Sequence, residues 1–183
     1  DETVFPVKFR EVWGYLMRGE EKLFRGDEPV TDLCYFSCTI APDGRLRSSV
    51  NPPSLPENED FKRRTHIVIA DLDNTKLMSL ILNPSRGERD ILVADIIELS
   101  KKFDGVQIDF EAVAGRDAGN FLEFLRVIRQ GMEAGKIFSV AVAAKTNRRR
   151  RVIKGTSFVK LLRPQDLDVL EVDLHLLSSV ELE

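Results

Sequence analysis

The sequence has few residues of the kinds that bind metals or form disulfides. Its 183 residues include two cysteines and two histidines. Cys34 and Cys38 lie four apart in an apolar stretch that we predict to be a strand, which separates their Cα atoms by about 13 Å, too far for a disulfide. His66 and His175 do not have the spacing of metal ligands. We therefore expect two buried thiols and no metal site.

Long apolar runs and an excess of positive charge are also absent. No run approaches the about 20 residues of a membrane-spanning helix, and no signal peptide is visible. The net charge of -3 disfavours nucleic acid and anionic membranes as partners. Neither Gly-x-Gly-x-x-Gly nor a Gly-Lys-Ser/Thr loop is present, so we expect no nucleotide cofactor. The first residue is Asp1, which leaves localisation open; a secreted or cell-envelope protein whose signal peptide has been removed is one interpretation.

The residues that are present suit one globular domain over positions 1–183. Hydrophobic residues make up 43% of the chain and charged residues 31%, which is enough for one core. Apolar runs predict strands over 12–17, 31–40, 65–70 and 137–144. Such strands alternate with predicted helices, which indicates a parallel α/β fold, either an open doubly wound sheet or a (β/α)8 barrel.

Two helices are predicted from apolar residues at helical spacing. The first covers residues 88–102, and its carboxyl end carries Lys101 and Lys102. The second follows the residues 103–111. Asn120 and Glu123 have the spacing of a capping box at its start, and Gly135 is expected to end it.

The segment 103–111, Phe-Asp-Gly-Val-Gln-Ile-Asp-Phe-Glu, is the most informative part of the chain. Alternation along a strand places Gln107, Asp109 and Glu111 on one face and apolar side chains on the other. Residues two apart in a strand have Cα atoms about 6.6 Å apart, so the two carboxyl groups can touch. Because close carboxylates repel, one keeps its proton near neutral pH, as a general acid for glycosidic bond cleavage requires. The alternative is a strand whose polar ends face solvent.

Residues 104–111 resemble the Asp-Gly-x-Asp-x-Asp-x-Glu signature on the fourth barrel strand of family 18 glycoside hydrolases, the chitinase and endo-N-acetylglucosaminidase group. The resemblance extends over about residues 10–146 and is closest to the branch that trims peptidoglycan. It implies a (β/α)8 TIM-barrel type of α/β fold. Since such a barrel needs about 250 residues, we expect this chain to hold about five to six of the eight β/α units and to be incomplete at the C-terminal end.

The resemblance also implies an activity and roles for residues. The activity is retaining hydrolysis of β-1,4 bonds next to N-acetylglucosamine in chitin-like or peptidoglycan-like glycans. Glu111 would protonate the leaving oxygen, and the substrate's own 2-acetamido carbonyl would be the nucleophile. Asp109 would hydrogen-bond the acetamido N–H and orient its oxygen. Tyr15 and Phe36 would line the sugar subsite, or else belong to the core.

The sequence departs from the family pattern in two places. Gln107 stands where the commonest signature has Asp, and an amide can hydrogen-bond Asp109 but cannot share a proton with it. A sixth strand over 168–177 lacks the family's Met-x-Tyr-Asp pattern and leaves only Asp173 as a candidate. Asp104 lies on the opposite face from Asp109, so we expect it to support the start of the strand.

Two other functions remain open at this point. Gln107 is compatible with a relative that binds glycan without cutting it. The incomplete barrel is compatible with a truncated interaction module that associates with itself through uncovered sheet edges. Arg148 to Arg151 form a basic run that we interpret as a solvated loop rather than a site for an anionic polymer.

Overall fold

The computed structural model of the chain describes residues 11–48, 51–57, 62–71, 73–143 and 157–161. These residues form a mixed α/β structure with one seven-stranded sheet. The strands are β1 (Trp13–Met17), β2 (Asp32–Ile40), β3 (Leu46–Ser48), β4 (Arg64–Asp71), β5 (Gly105–Phe110), β6 (Ile137–Ala143) and β7 (Ser157–Leu161). The helices are α1 (Thr75–Leu82), α2 (Gly87–Ser100) and α3 (Ala118–Gly131).

The sheet order is β1-β2-β4-β5-β6-β7, with β3 paired antiparallel to β2. The strands from β1 to β6 on this path are parallel, so their carboxyl ends meet at one edge, as the sequence predicts. The last strand, β7, is antiparallel to β6 and departs from the expected β/α repeat. Within the described residues β1 and β7 are the outermost strands, so this part of the chain shows no closed barrel.

The two faces of the sheet differ in polarity. One face packs on the helices and forms the hydrophobic core, in which Ile67, Ile108 and Ile96 are fully buried. Buried polar residues occupy the alternate strand positions, which point to the opposite face. They are Asp32, His66, Gln107, Asp109 and Ser139. The alternation predicted for β5 is therefore found along its neighbours as well.

The first two helices are separated by the four residues 83–86, Asn-Pro-Ser-Arg. The side chain of Asn74 caps α1 by accepting a hydrogen bond from the Leu77 N–H at 3.0 Å. The second helix lies where we predict one, but it ends at Ser100, before the two lysines. Apolar spacing alone did not predict α1.

The predicted ends of α3 are wrong. The helix begins at Ala118, so Asn120 lies inside it, and the preceding Asp117 makes no side-chain cap. The Asp117 carboxylate accepts a hydrogen bond from the Ser79 hydroxyl of α1 at 2.5 Å instead, which makes it a tertiary contact. The helix ends at Gly131, and Gly135 has a φ of 88° in the turn before β6. The positive φ thus serves the turn rather than the end of the helix.

Other predictions from the sequence have mixed outcomes. Cys34 and Cys38 are both buried and unbridged, which confirms two separate thiols. In the part of the chain that the structure describes, no helix is long and apolar enough to cross a membrane. The candidate sixth strand with Asp173, the basic run from Arg148 to Arg151, and His175 lie outside the described residues.

Candidate active site

The carboxyl ends of β4 and β5 position the two predicted acidic residues. Asp109 pairs in register with Ala70 of β4, and Glu111 follows the last residue of β5. The Glu111 N–H donates a hydrogen bond to the Asp71 carbonyl at 3.0 Å, which continues the ladder past the strand end. The Asp109 side chain is buried, with 8% of the residue exposed, whereas Glu111 is exposed. One carboxyl group therefore lies within the sheet surface and the other at its rim.

The surroundings of Asp109, including the neighbouring Glu111, change the pKa of its carboxyl group. Burial, first, and the negative charge of Glu111, second, raise the pKa of Asp109 above its ordinary value. Crowding of the carboxyl groups was predicted to make one of them keep its proton. The raised pKa belongs to Asp109, the residue that we expected to orient the acetamido group.

Gln107 connects three strands on the polar face. Its side chain is fully buried, and its Nε2 donates a hydrogen bond to the Ser139 hydroxyl of β6 at 3.4 Å. Gln107 also hydrogen-bonds the hydroxyl of Tyr15 from β1, which lowers the pKa of that phenol. Burial raises the same pKa more strongly, with further upward contributions from Cys34 and Asp109, so the net shift is upward. Tyr15, Gln107 and Asp109 therefore lie in one group.

The two predicted sugar-binding aromatics are neighbours. The ring centroids of Tyr15 and Phe36 are 5.6 Å apart, with an angle of 46° between the ring planes. Tyr15 is 50% exposed, so one part of its ring faces solvent while its hydroxyl reaches Gln107. Met17, two residues further along β1, is 51% exposed and pairs in register with Phe36. Met17 was not predicted from the sequence, although its alternation with Tyr15 could have indicated it.

Asp104 lies at the other end of β5, away from the acid pair. Its carboxylate accepts hydrogen bonds from the Thr65 N–H at 2.8 Å and the Thr65 hydroxyl at 3.3 Å. These bonds tie the start of β5 to β4, in agreement with a supporting role. The next residue must be small, because a Cβ at Gly105 would lie 2.3 Å from Nδ1 of His66 and 2.8 Å from the Ile137 carbonyl oxygen.

The amino ends of the strands carry a buried ionic cluster that sequence analysis did not predict. Asp32 accepts hydrogen bonds from Arg64 at 2.6 and 2.7 Å, from His66 at 2.8 Å and from Thr31 at 2.7 Å. Burial disfavours the carboxylate, but the bonds from His66, Arg64 and Thr31 outweigh it and lower the pKa of Asp32 to about 2. A cavity of about 390 Å³ opens at this end of the sheet and is lined by Thr31, Lys62, Arg64 and Asp104. This cavity is at the opposite end of the strands from Asp109 and Glu111.

Cys34 lies on the polar face of β2, in register with Tyr15 and His66. Burial, with smaller contributions from the charges of Asp32 and Asp109, raises the pKa of its thiol to about 12. A thiol of this kind stays protonated near neutral pH and is a poor nucleophile.

Among the residues that the structure describes, no three His, Cys, Asp or Glu side chains are grouped so that they could hold a metal ion.

Comparison with known sequences gives one informative similarity. No model of a known protein family matches the chain. The chain is 31% identical over 125 residues to YdhD of Bacillus subtilis strain 168, a protein named as a sporulation-specific glycosylase. The match covers 64% of this chain and 30% of YdhD, so the chain spans less than a third of this relative's length.

Solved structures with a similar fold include a chitinase from Bacteroides thetaiotaomicron, with a TM-score of 0.60 at 20% identity. That similarity covers 75% of this chain and 48% of the chitinase. The spore cortex-lytic enzyme SleL of Bacillus megaterium QM B1551 gives a TM-score of 0.55 at 20% identity, over 78% of this chain and 36% of SleL. The chain is therefore similar in sequence to a protein named as a glycosylase, and the parallel β/α part of its fold is similar to that of a chitinase and a cortex-lytic enzyme.

Proposed function

We propose that this chain carries the acid pair of a glycoside hydrolase that cleaves β-1,4 bonds next to N-acetylglucosamine in chitin-like or peptidoglycan-like glycans. The observation that carries the proposal is the placement of Asp109 near the end of β5 and of Glu111 directly after it, at the carboxyl edge of a parallel sheet, the edge where α/β folds place their active groups. The similarities to YdhD and to the fold of a chitinase support a glycan as the substrate.

In the proposed reaction the substrate supplies its own nucleophile. The 2-acetamido carbonyl oxygen attacks the anomeric carbon, and the glycosidic C–O bond breaks as Glu111 transfers its proton to the leaving oxygen. Water then attacks the anomeric carbon of the oxazolinium-like intermediate and gives a proton to the Glu111 carboxylate. This second step restores the acetamido group and the starting configuration.

Different surroundings suit the two carboxyl groups to different roles. The exposed Glu111 can exchange protons with solvent and reach a bound sugar chain. The buried Asp109 has a fixed environment, so an oxygen of its carboxyl group can accept a hydrogen bond from the acetamido N–H and hold the nucleophile in line. Tyr15, supported by Phe36, offers a half-exposed ring for the apolar face of the sugar.

The test of this proposal is release of a chromophore from a chromogenic N-acetylglucosamine oligomer. Glu111→Gln should reduce turnover to background, because an amide cannot protonate the leaving oxygen. Glu133→Gln is the matched control, since Glu133 is exposed and lies ahead of the amino end of β6. Turnover by Glu111→Gln at the wild-type rate would remove Glu111 from the role of acid.

A glycan-binding protein without activity is the second candidate, and Gln107 is the residue that favours it. An amide at this position removes one proton-binding group from the polar face. Calorimetry with the same oligomer distinguishes the two functions. Binding by the wild-type chain with no release of chromophore would support the binding role and contradict the hydrolase.

A further inference from the structure

The proposed acid lies at the start of a short connecting segment, residues 111–117, between β5 and α3. The chain is anchored in the core directly before this segment. The buried ring of Phe110 stacks on Phe121 and Phe124 of α3, with ring centroids 5.8 and 5.9 Å apart. Glu111 itself is exposed, so the position of its carboxyl group depends on how the backbone around it is held.

The end of the segment is tied to α1 by a buried carboxylate. Asp117 is 9% exposed and accepts a hydrogen bond from the Ser79 hydroxyl at 2.5 Å. The Ser79 oxygen in turn accepts a hydrogen bond from Nη2 of Arg116 at 3.3 Å, so it bonds two adjacent residues of the segment. A hydrogen bond to a carboxylate is stronger than one between neutral groups. The contact therefore fixes the carboxyl end of the segment against α1.

The partner of Asp117 is not the one that its position in the chain favours. Asp117 directly precedes α3, where an aspartate side chain ordinarily accepts a hydrogen bond from the first turn and stabilises the helix. Asp117 makes no such bond. A residue that breaks a local rule in this way is expected to serve a tertiary contact or a site. The carboxylate is thus used to join the segment to α1.

The start of the segment is tied to α1 as well. The Glu111 N–H donates to the Asp71 carbonyl at 3.0 Å, and the Asp71 carboxylate accepts a hydrogen bond from the Asn74 N–H at 2.8 Å. Asn74 is also the residue whose side chain caps α1, through the Leu77 N–H at 3.0 Å. One short helix therefore supports both ends of the segment that carries Glu111.

We propose that Ser79 is a positioning residue for Glu111, which acts by holding Asp117 and with it the backbone of residues 111–117. Loss of the hydroxyl leaves the buried carboxylate without its closest donor, and the segment is then held mainly from the Asp71 side. Glu111 would spend less time where it can protonate the leaving oxygen. The catalytic part of this inference rests on the proposed function, whereas the effect on the segment does not.

The direct test is nitrogen-15 relaxation of the full chain, read at the amides of Glu111 and Gly115. In Ser79→Ala we expect their order parameters to fall from about 0.85, the value of rigid backbone, toward about 0.6, the value of flexible backbone. The amide of Ile108, inside β5, should keep its value. A fall at Gly115 with Glu111 unchanged would overturn the inference, because the contact would then hold only the start of α3. A fall at Ile108 as well would overturn it by showing a general loosening of the sheet.

Three further variants separate the hydroxyl from other effects of the substitution. Ser79→Thr keeps the hydroxyl and should keep the order of Glu111; a loss equal to that in Ser79→Ala would count against the hydrogen bond. Ser85→Ala is the matched control, since Ser85 is exposed between α1 and α2, and it should change nothing. Asp117→Ala removes the acceptor and serves if Ser79→Ala does not fold. It should loosen Glu111 as well, and an ordered Glu111 in this variant would contradict the proposal.

Activity on the chromogenic N-acetylglucosamine oligomer gives a separate readout. Ser79→Ala should lower kcat about fivefold with KM changed less than about twofold, and Ser79→Thr should restore kcat. The double variant with Asp117→Ala should lose no more activity than the weaker of the two single variants, because both remove the same contact. Additive losses would contradict a shared contact.

The two readouts distinguish this inference from the proposed function. A chain in which Ser79→Ala loosens Glu111 but which cleaves no glycan would support the contact and contradict the hydrolase. Cleavage at the same kcat by wild type and Ser79→Ala would contradict the positioning role of Ser79 and leave the hydrolase in place.

Discussion

At the residue scale, the proposed chemistry depends on unequal burial of two neighbouring carboxyl groups. Asp109 is covered by the strands around it, and Glu111 stands beyond the end of β5. Alternation in the sequence predicted that both share a face with Gln107, and Gln107 and Asp109 are both buried polar residues of β5. It was not enough to distinguish their burial, because burial depends on where β4 ends: its last residue, Asp71, pairs with Phe110. The raised pKa of Asp109 follows from that tertiary geometry.

Tyr15 offers a test of the sugar subsite, because its ring and its hydroxyl have different contacts. Tyr15→Ala should raise KM for an N-acetylglucosamine oligomer about tenfold, which corresponds to about 1.4 kcal/mol of lost contact. Tyr15→Phe keeps the ring and should leave KM within about twofold while removing the bond to Gln107. Steady-state kinetics on the two variants would show the difference. An equal rise of KM in both would contradict a role for the ring.

The cysteines test the burial of the polar face. Cys34 has a pKa raised to about 12, and both cysteines are buried, so native protein should react with a thiol reagent at pH 8 far more slowly than unfolded protein. The unfolded chain in guanidinium chloride should release colour for two thiols, which is the number in the sequence. Rapid reaction of the native protein would show that the face around Cys34 is open to solvent.

At the element scale, the amino ends of β2, β4 and β5 carry side-chain contacts that hold these three strands in register. Asp32 joins β2 to β4 through Arg64 and His66, and Asp104 joins β5 to β4 through Thr65. From the sequence, a supporting role was predicted for Asp104 alone. The Asp32 cluster was not predicted, because Arg64 and His66 lie on another strand, 32 and 34 positions away from Asp32.

The Asp32 cluster predicts a specific dependence of stability on pH. The folded pKa of Asp32, about 2, is below the ordinary value of about 3.9, so its contribution is present above about pH 4 and is lost as the pH falls toward 2. Asp32→Asn should lower the free energy of unfolding by about 3 kcal/mol at pH 7, since it leaves buried donors without their anion. Urea unfolding between about pH 2 and about pH 7 would measure both effects. A difference between wild type and variant that does not shrink toward pH 2 would contradict the assignment.

Gly105 tests the close approach of β4 and β5. Gly105→Ala would put a Cβ 2.3 Å from the His66 ring, so we expect a loss of about 2 kcal/mol or more in the free energy of unfolding. Gly119→Ala is the matched control, because nothing lies within 4 Å of its Cβ position in α3. That change should stabilise the chain by about 0.5–1 kcal/mol. Equal stability of the two variants would contradict the tight packing at Gly105.

The sequence predicted the parallel strands well and the connecting elements less well. Long apolar runs indicated β2, β4 and β6 within one or two residues of their ends. The short strand β3 and the antiparallel β7 were missed, because neither has a long periodic pattern of its own. The start of α3 was misplaced because Asp117 bonds Ser79 in α1, a contact that capping rules do not anticipate.

At the scale of the whole molecule, the sheet separates an apolar face under three helices from a polar face that carries the candidate site. The chain spans 30% of YdhD and 48% of the Bacteroides chitinase, so the described strands correspond to part of those longer proteins. The single domain over 1–183 and self-association through sheet edges remain predictions. What the comparison supports at this scale is a shared parallel β/α arrangement.

The most direct measurement of the central claim compares two chromogenic oligomers that differ only in the group at C2 of the sugar, N-acetyl or hydroxyl. If Glu111 acts as the acid and the acetamido group as the nucleophile, wild-type protein cleaves only the N-acetylated oligomer and Glu111→Gln cleaves neither. Equal cleavage of both oligomers, or cleavage that persists in Glu111→Gln, would contradict the account.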